Sequence, residues 1–145
     1  MKVVLQRVKH AKCTVNNEVT GEIGKGYLLL VGFTNGDNEE KLKKAVKKIT
    51  GLRIFEDENG KMNLNLQTVN GKILSISQFT LYANTNDGNR PSFVEAMNPD
   101  EANKLYLKFN EMLRDNNFVV EEGRFGHHMD IELLNDGPCT IIYEF

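Results

Sequence analysis

A Gly-Pro pair near the end of the chain, Gly137-Pro138, constrains the fold more than any other feature of the sequence. It lies between two apolar runs, residues 129–134 and 139–145, that have the length and composition of strands. Proline has no N–H to donate and cannot continue a central strand. The pair therefore predicts a rigid, protruding turn between two strands, at a position where backbone groups can face a ligand.

Length and composition predict a single domain over residues 1–145. Hydrophobic residues make up 40% of the chain and charged residues 26%, which is ordinary for a globular protein. Only three successive apolar residues precede Gln6, so we expect no signal peptide, no membrane partner and a cytoplasmic location. Cys13 and Cys139 are expected to be free, packed thiols, since neither has a histidine at a spacing that indicates catalysis.

The charge of the chain limits the kind of nucleic-acid contact it can make. A formal net charge of −2 argues against a protein that coats a long stretch of nucleic acid, because phosphate neutralisation supplies most of that affinity. Five lysines cluster between residues 41 and 48, but on a predicted helix with an apolar opposite face, so we interpret them as a solvated face. Any RNA contact is expected to be small and local, and no DNA partner is expected.

The spacing of apolar residues predicts strands interrupted by two helices. The first helix is predicted to have Asp37 as N-cap, with Glu40 three residues on, and to stop at Gly51. The second is predicted to begin at Asn98 and Pro99. The order favours an α+β fold with a mostly antiparallel, curled or barrel-like sheet and the two main helices packed outside, over parallel βαβ winding. Strands are predicted at residues 2–8, 12–15, 19–23, 27–33, 52–56, 72–81, 118–122, 129–134 and 139–145.

Patterns for common catalytic machinery are missing from the sequence. His127 and His128 are adjacent, so on an extended segment they would point to opposite faces and could not easily bind one metal ion. There is no HExxH motif, Cys/His cluster, GxSxG elbow or glycine-rich phosphate loop. We therefore expect no metal and no cofactor.

Thr80 is the one hydroxyl that the sequence offers as a nucleophile. A threonine needs an adjacent base for that role, and residues 77–81 contain none. The alternative, which we favour, is a strand residue whose hydroxyl makes one local hydrogen bond.

Residues 77–81 (SQFTL) and 135–138 (NDGP) together resemble the two signature motifs of the D-aminoacyl-tRNA deacylases. The opening residues 4–8 and the segment 88–93 resemble the same family, so the resemblance covers essentially the whole chain. Cys139 stands where valine is usual. A second departure is His127, which replaces a common small residue in a stretch that otherwise matches.

The resemblance implies a homodimer that hydrolyses the ester between a D-amino acid and the 3′-terminal ribose of tRNA, and also glycyl esters mischarged on tRNA(Ala). It implies that a cis Gly137-Pro138 peptide enters the partner subunit's site and rejects L-aminoacyl esters by exclusion. Arg7 is interpreted either as the group that holds the carbonyls of this wedge or as an exposed strand arginine.

The resemblance also implies where catalysis takes place. Backbone groups would form an oxyanion hole and position water, and the substrate's ribose hydroxyl would assist. These backbone groups belong to Ser77, Gln78, Phe79 and Thr80. The terminal adenosine would bind Phe125, Gly126, His127 and Met129, with His127 stacking on the base or narrowing the pocket. The remaining alternatives are an esterase with Thr80 as nucleophile, a non-catalytic module that binds RNA ends, and a structural protein in which Gly137-Pro138 is only a turn.

Overall fold

The computed structural model describes all of the chain, Met1–Phe145, as one curled sheet with two helices outside it and a small separate hairpin. The strands are β1 (Lys2–Val15), β2 (Glu18–Ile23), β3 (Gly26–Gly32), β4 (Phe55–Glu56), β5 (Met62–Leu64), β6 (Lys72–Ser77), β7 (Val120–Glu122) and β8 (Asp130–Glu144). The helices are α1 (Glu39–Thr50) and α2 (Pro99–Asp115), and Phe79–Tyr82 form a short 3-10 helix. No helix is long and apolar enough to cross a membrane.

The main sheet is mixed, so the prediction of a mostly antiparallel sheet is wrong. Its strand order is β2-β1-β3-β6-β7, and β8 pairs with β1. The pairs of β1 with β2, β3 and β8 are antiparallel, whereas the β3–β6 and β6–β7 pairs are parallel. Parallel neighbours need a long crossover, and α1 and α2 each supply one. The βαβ winding that the sequence analysis disfavoured therefore forms half of the sheet.

The sheet curls as predicted, because β2 approaches β7 across the open side. A Cβ atom added to Gly21 would lie 3.0 Å from the Cβ of Glu121 and 3.0 Å from the carbonyl oxygen of Glu122. The curl separates two apolar cores. One lies between the sheet and the helices and contains Leu29, Val31 and Phe109, and a smaller one on the other face contains Leu28 and Leu74.

The Gly-Pro pair does not form a turn between two strands, contrary to our prediction. It lies within β8, which is continuous, in a bulge between the register pairs Gln6↔Thr140 and Val8↔Asn135. Four residues of β8 therefore face one residue of β1. Proline is tolerated here because β8 pairs with β1 alone, so its missing N–H costs no bond on the other edge.

The first helix begins one residue later than predicted. Its N-cap is Asn38, whose side-chain oxygen accepts from the N–H of Lys41 at 3.2 Å. Asp37 is buried and accepts from the amine of Met1 at 2.7 Å and from Lys41 Nζ at 2.8 Å. Burial alone would raise the pKa of Asp37, but these hydrogen bonds hold it below its usual range. Gly51 ends this helix as predicted.

The second helix begins as predicted. The side-chain oxygen of Asn98 accepts from the N–H of Asp100 at 3.0 Å, and Pro99 occupies the first turn. Both cysteines are free and buried, which confirms their interpretation as packed thiols.

Candidate active site

A cavity of about 720 Å³ opens at the carboxyl ends of the parallel strands β3 and β6. The first turn of α2 and the segment between β7 and β8 complete its wall. This is the usual position of a ligand site beside parallel strands. Seven of the residues predicted from the sequence line it, namely Ser77, Gln78, Phe79, Phe125, Gly126, His127 and Met129.

The chain leaves β6 at Ser77 and turns into the 3-10 helix, so the predicted strand over residues 72–81 ends early. The N–H of Gln78 still donates to the carbonyl oxygen of Val31 at 2.7 Å. The turn passes so close to β3 that a Cβ atom on Gly32 would lie 2.8 Å from the carbonyl oxygen of Gln78. Glycine at position 32 therefore permits the approach that shapes the cavity rim.

The first two N–H groups of the 3-10 helix, those of Phe79 and Thr80, donate no hydrogen bond within the chain. A helix leaves its first N–H groups without internal partners, and here neither a side chain nor another strand supplies one. Two unused backbone donors thus follow each other in the chain, the first of them on Phe79, which lines the cavity.

The Thr80 side chain is exposed and does not line the cavity. Its hydroxyl accepts a hydrogen bond from Gln78 Nε2, and no histidine or carboxylate bonds to it. The single local hydrogen bond expected for Thr80 is therefore present, although Thr80 lies in a 3-10 helix and not in a strand.

The segment with Phe125 and His127 is anchored from behind by the carbonyl oxygen of Ser75. That oxygen accepts from the N–H of Gly123 at 3.0 Å and from the hydroxyl of Tyr106 at 2.7 Å. The ring of Tyr106 also packs against that of Phe125, with centroids 6.0 Å apart. Burial raises the pKa of the Tyr106 hydroxyl to about 12, so it stays a hydrogen-bond donor at neutral pH.

None of the sequence predictions above included this supporting role of Tyr106. The signal was the residue type, since a buried tyrosine usually finds a partner for its hydroxyl where phenylalanine would need none.

Gly126 adopts φ +75°, a conformation that favours glycine, and His127 Nδ1 lies 3.0 Å from the carbonyl oxygen of Phe125.

The bulge in β8 is held by Arg7. The Gly137-Pro138 peptide is cis, as expected, and Gly137 has φ +137°. Arg7 is only 5% exposed, so it is not an exposed strand arginine. Its Nε donates to the carbonyl oxygen of Asp136 at 2.9 Å, and its Nη1 donates to the carbonyl oxygen of Ile54. Arg7 therefore bonds to the carbonyl of the residue that precedes the Gly137-Pro138 pair, and to Ile54 as a second partner.

The two motifs do not meet within one chain. Arg7, Gly137 and Pro138 are absent from the cavity wall, and Gly137 and Pro138 are exposed on the bulge.

The chain has no group of three or more His, Cys, Asp or Glu residues that could hold a metal ion. His128 lies 3.6 Å from the carboxylate of Asp130, outside any such group.

Comparison with known proteins places these features in a family. The family model described as D-Tyr-tRNA(Tyr) deacylase matches residues 4–144. A relative from Limosilactobacillus reuteri is 59% identical over 99% of both chains, and one from Exiguobacterium sp. is 57% identical over 99% of this chain and 98% of the relative. Both relatives are named D-aminoacyl-tRNA deacylase.

Solved structures share the fold. The structure titled c-Myc DNA Unwinding Element Binding Protein superposes with a TM-score of 0.93 at 39% identity, over 100% of this chain and 99% of that chain. A probable eukaryotic D-amino acid tRNA deacylase superposes with a TM-score of 0.83, over 98% of this chain and 97% of that chain. At 19% identity the second likeness concerns the fold alone.

Proposed function

The chain belongs to the D-Tyr-tRNA(Tyr) deacylase family, and on that basis we propose that it is an aminoacyl-tRNA editing enzyme that hydrolyses the ester of D-aminoacyl-tRNA. The observation that carries the proposal is the full-length family match together with a cavity built around residues 77–79. The whole chain, residues 1–145, acts as one domain.

Catalysis in this proposal relies on backbone groups. The unpartnered N–H groups of Phe79 and Thr80 stabilise the negative charge that develops on the ester carbonyl oxygen as water attacks. Such preorganised donors act without reorganisation at the moment of reaction. No histidine or carboxylate makes a hydrogen bond to Phe79 or Thr80, and in this proposal the vicinal hydroxyl of the terminal ribose positions and activates the water. As the bond from the carbonyl carbon to the ribose 3′ oxygen breaks, that oxygen takes up the proton released by the attacking water and leaves as a hydroxyl. Thr80 forms no covalent intermediate.

Chirality in this proposal is judged by a second copy of the chain. In a two-fold homodimer, the exposed bulge with Gly137 and Pro138 enters the cavity of the partner subunit. Neither residue lines the cavity of its own chain. Leu134 and Ile142 on the same strand are 48% and 69% exposed, as fits a face that a second copy covers. Arg7 keeps the bulge rigid, so an L side chain meets it and a D side chain points away.

Selection by exclusion has a consequence for the smallest substrate. A glycyl ester has no side chain for the wedge to reject, so glycyl-tRNA, including that mischarged on tRNA(Ala), is also a substrate. The terminal adenosine occupies the part of the cavity formed by Phe125, Gly126, His127 and Met129. His127 is exposed at the rim, where its ring stacks on the base or narrows the entrance. The enzyme works in the cytoplasm, where aminoacyl-tRNA is made.

The test of this function is loss of the ester from D-tyrosyl-tRNA, followed beside a substrate whose terminal adenosine is 2′-deoxy. We expect rapid hydrolysis of the first and binding with little turnover of the second. Hydrolysis of both at similar rates would favour an esterase that uses Thr80. Binding of both without hydrolysis would favour a module that only binds RNA ends.

A further inference from the structure

Three lysines of α1 form an exposed basic surface and make no ion pair within the chain. Lys44, Lys47 and Lys48 are exposed, and none lies within 4.0 Å of a carboxylate. Their neighbours on the same helix are paired, because Lys41 lies 2.8 Å from Asp37 and Lys43 lies 3.4 Å from Glu39. We call the three unpaired residues the α1 lysine face.

The spacing of the α1 lysine face brings like charges together. Lys44 is three residues before Lys47 and four before Lys48, so the three side chains share one side of the helix. Like charges at these spacings destabilise a helix. The helix dipole favours Lys47 and Lys48, which lie in the last turn, but offers nothing to Lys44. A bound polyanion would relieve this repulsion.

The α1 lysine face lies on a helix that begins beside the cavity. Phe33 lines the cavity at the end of β3, and the chain then leads into α1 through a short loop. The 12 residues of α1 span about 18 Å, and Lys44 lies about 8 Å from the start of the helix axis. A nucleic acid that leaves the cavity rim and runs along α1 therefore meets Lys44 first, and then Lys47 and Lys48.

We propose that the α1 lysine face binds the phosphate backbone of the tRNA whose 3′ end occupies the cavity. This rests on the proposed function, and it supplies the local attraction that a chain with a net charge of −2 otherwise lacks. Of the other unpaired lysines, Lys25 and Lys72 lie at the start of β3 and β6, whereas the cavity lies at the opposite ends of these strands. Lys104 lies on α2, two residues after the cavity-lining Ala102, and adds a single charge there.

The experiment compares two substrates with the triple variant K44Q/K47Q/K48Q. Glutamine has nearly the helix propensity of lysine, so α1 is retained. For D-tyrosyl-tRNA we expect KM to rise about tenfold with kcat unchanged, and the slope of log kcat/KM against log salt to become shallower by about 2 to 3. For 3′-O-D-tyrosyl-adenosine, which has no phosphate, both constants should stay the same.

A matched control removes the same charge elsewhere. The variant K25Q/K61Q/K72Q replaces three exposed lysines that make no ion pair, and it should behave as the wild type. Equal effects of both triple variants, equal losses on both substrates, or no change in KM for the tRNA would overturn the proposal.

Binding of uncharged tRNA separates this proposal from the proposed function. Filter binding measures that affinity without any reaction, and the K44Q/K47Q/K48Q variant should bind about tenfold more weakly than the wild type. Equal binding would refute the α1 lysine face even if the wild type hydrolyses both esters. Failure of the wild type to hydrolyse either ester, with the binding difference intact, would refute the deacylase function instead.

Discussion

Replacing Arg7 by methionine tests whether the hydrogen bonds of Arg7 hold the β8 bulge in place. Methionine keeps an unbranched side chain of similar length but cannot donate a hydrogen bond. The change removes the bonds to the carbonyl oxygens of Asp136 and Ile54. It also removes the cation 3.6 Å from the carboxylate of Asp136.

The expected loss of stability follows from the burial of these groups. Each bond from a charged donor contributes about 1.5–3 kcal/mol, and the bond to Ile54 is buried. Water replaces part of the bond to Asp136, which is only partly buried. The Asp136 carboxylate is partly exposed as well, so its ion pair with Arg7 contributes about 1 kcal/mol or less. We therefore expect Arg7→Met to lower the free energy of unfolding by about 3 kcal/mol, a large part of the 5–15 kcal/mol typical of a domain.

Urea denaturation of the variant and the wild type measures this difference. Arg53→Met is the matched control, because Arg53 also donates to a carbonyl oxygen, that of Asn63 at 2.7 Å, but is exposed. It should cost much less. At temperatures where the Arg7→Met protein is folded, the hydrogen bonds of Arg7 no longer hold its bulge. Discrimination against L-tyrosyl-tRNA should therefore fall more than activity on D-tyrosyl-tRNA does. An Arg7→Met protein as stable and as selective as the wild type would refute the role of Arg7 in holding the bulge.

Three further substitutions probe separate parts of the site. Gly137→Ala should lower the free energy of unfolding by about 2 kcal/mol and weaken rejection of L-tyrosyl-tRNA, because alanine is strained at φ +137° and its Cβ would lie 3.0 Å from Arg7 Nη2. An unchanged melting temperature and unchanged selectivity would contradict this. Thr80→Ala should keep most of kcat in a steady-state assay, whereas a fall towards the uncatalysed rate in a folded variant would identify Thr80 as a nucleophile. Tyr106→Phe should cost about 1 kcal/mol in urea denaturation and raise KM several-fold with kcat kept, since its hydroxyl supports the segment that carries Phe125; a change in kcat alone would show a different role.

Local signals in the sequence were sufficient for several elements. The start of α2 depends on the capping residues Asn98 and Pro99, which act within one turn, and it is where the pattern predicts it. The burial of both cysteines and the two helices outside a curled sheet also follow from composition and spacing. Seven site residues line one cavity because the recognised motifs lie at adjoining strand ends.

The errors concern contacts between distant parts of the chain. Gly137 and Pro138 look like a turn when read alone, but the pairing of β8 with β1 continues on both sides of them and makes them a bulge. Asp37 looks like an N-cap, yet the amine of Met1 engages its carboxylate and Asn38 caps the helix instead. The parallel pairs depend on where α1 and α2 return the chain, which residue periodicity does not encode.

Chiral selection is measured by the hydrolysis of matched D-tyrosyl-tRNA and L-tyrosyl-tRNA by one preparation of the wild-type protein. Both esters are incubated at the same concentrations, and the fraction of tyrosine still attached to tRNA is followed with time. We predict that the D ester is lost rapidly, while the L ester decays no faster than it does without enzyme. Equal rates for the two esters would contradict chiral selection, and an intact D ester would contradict the deacylase activity itself.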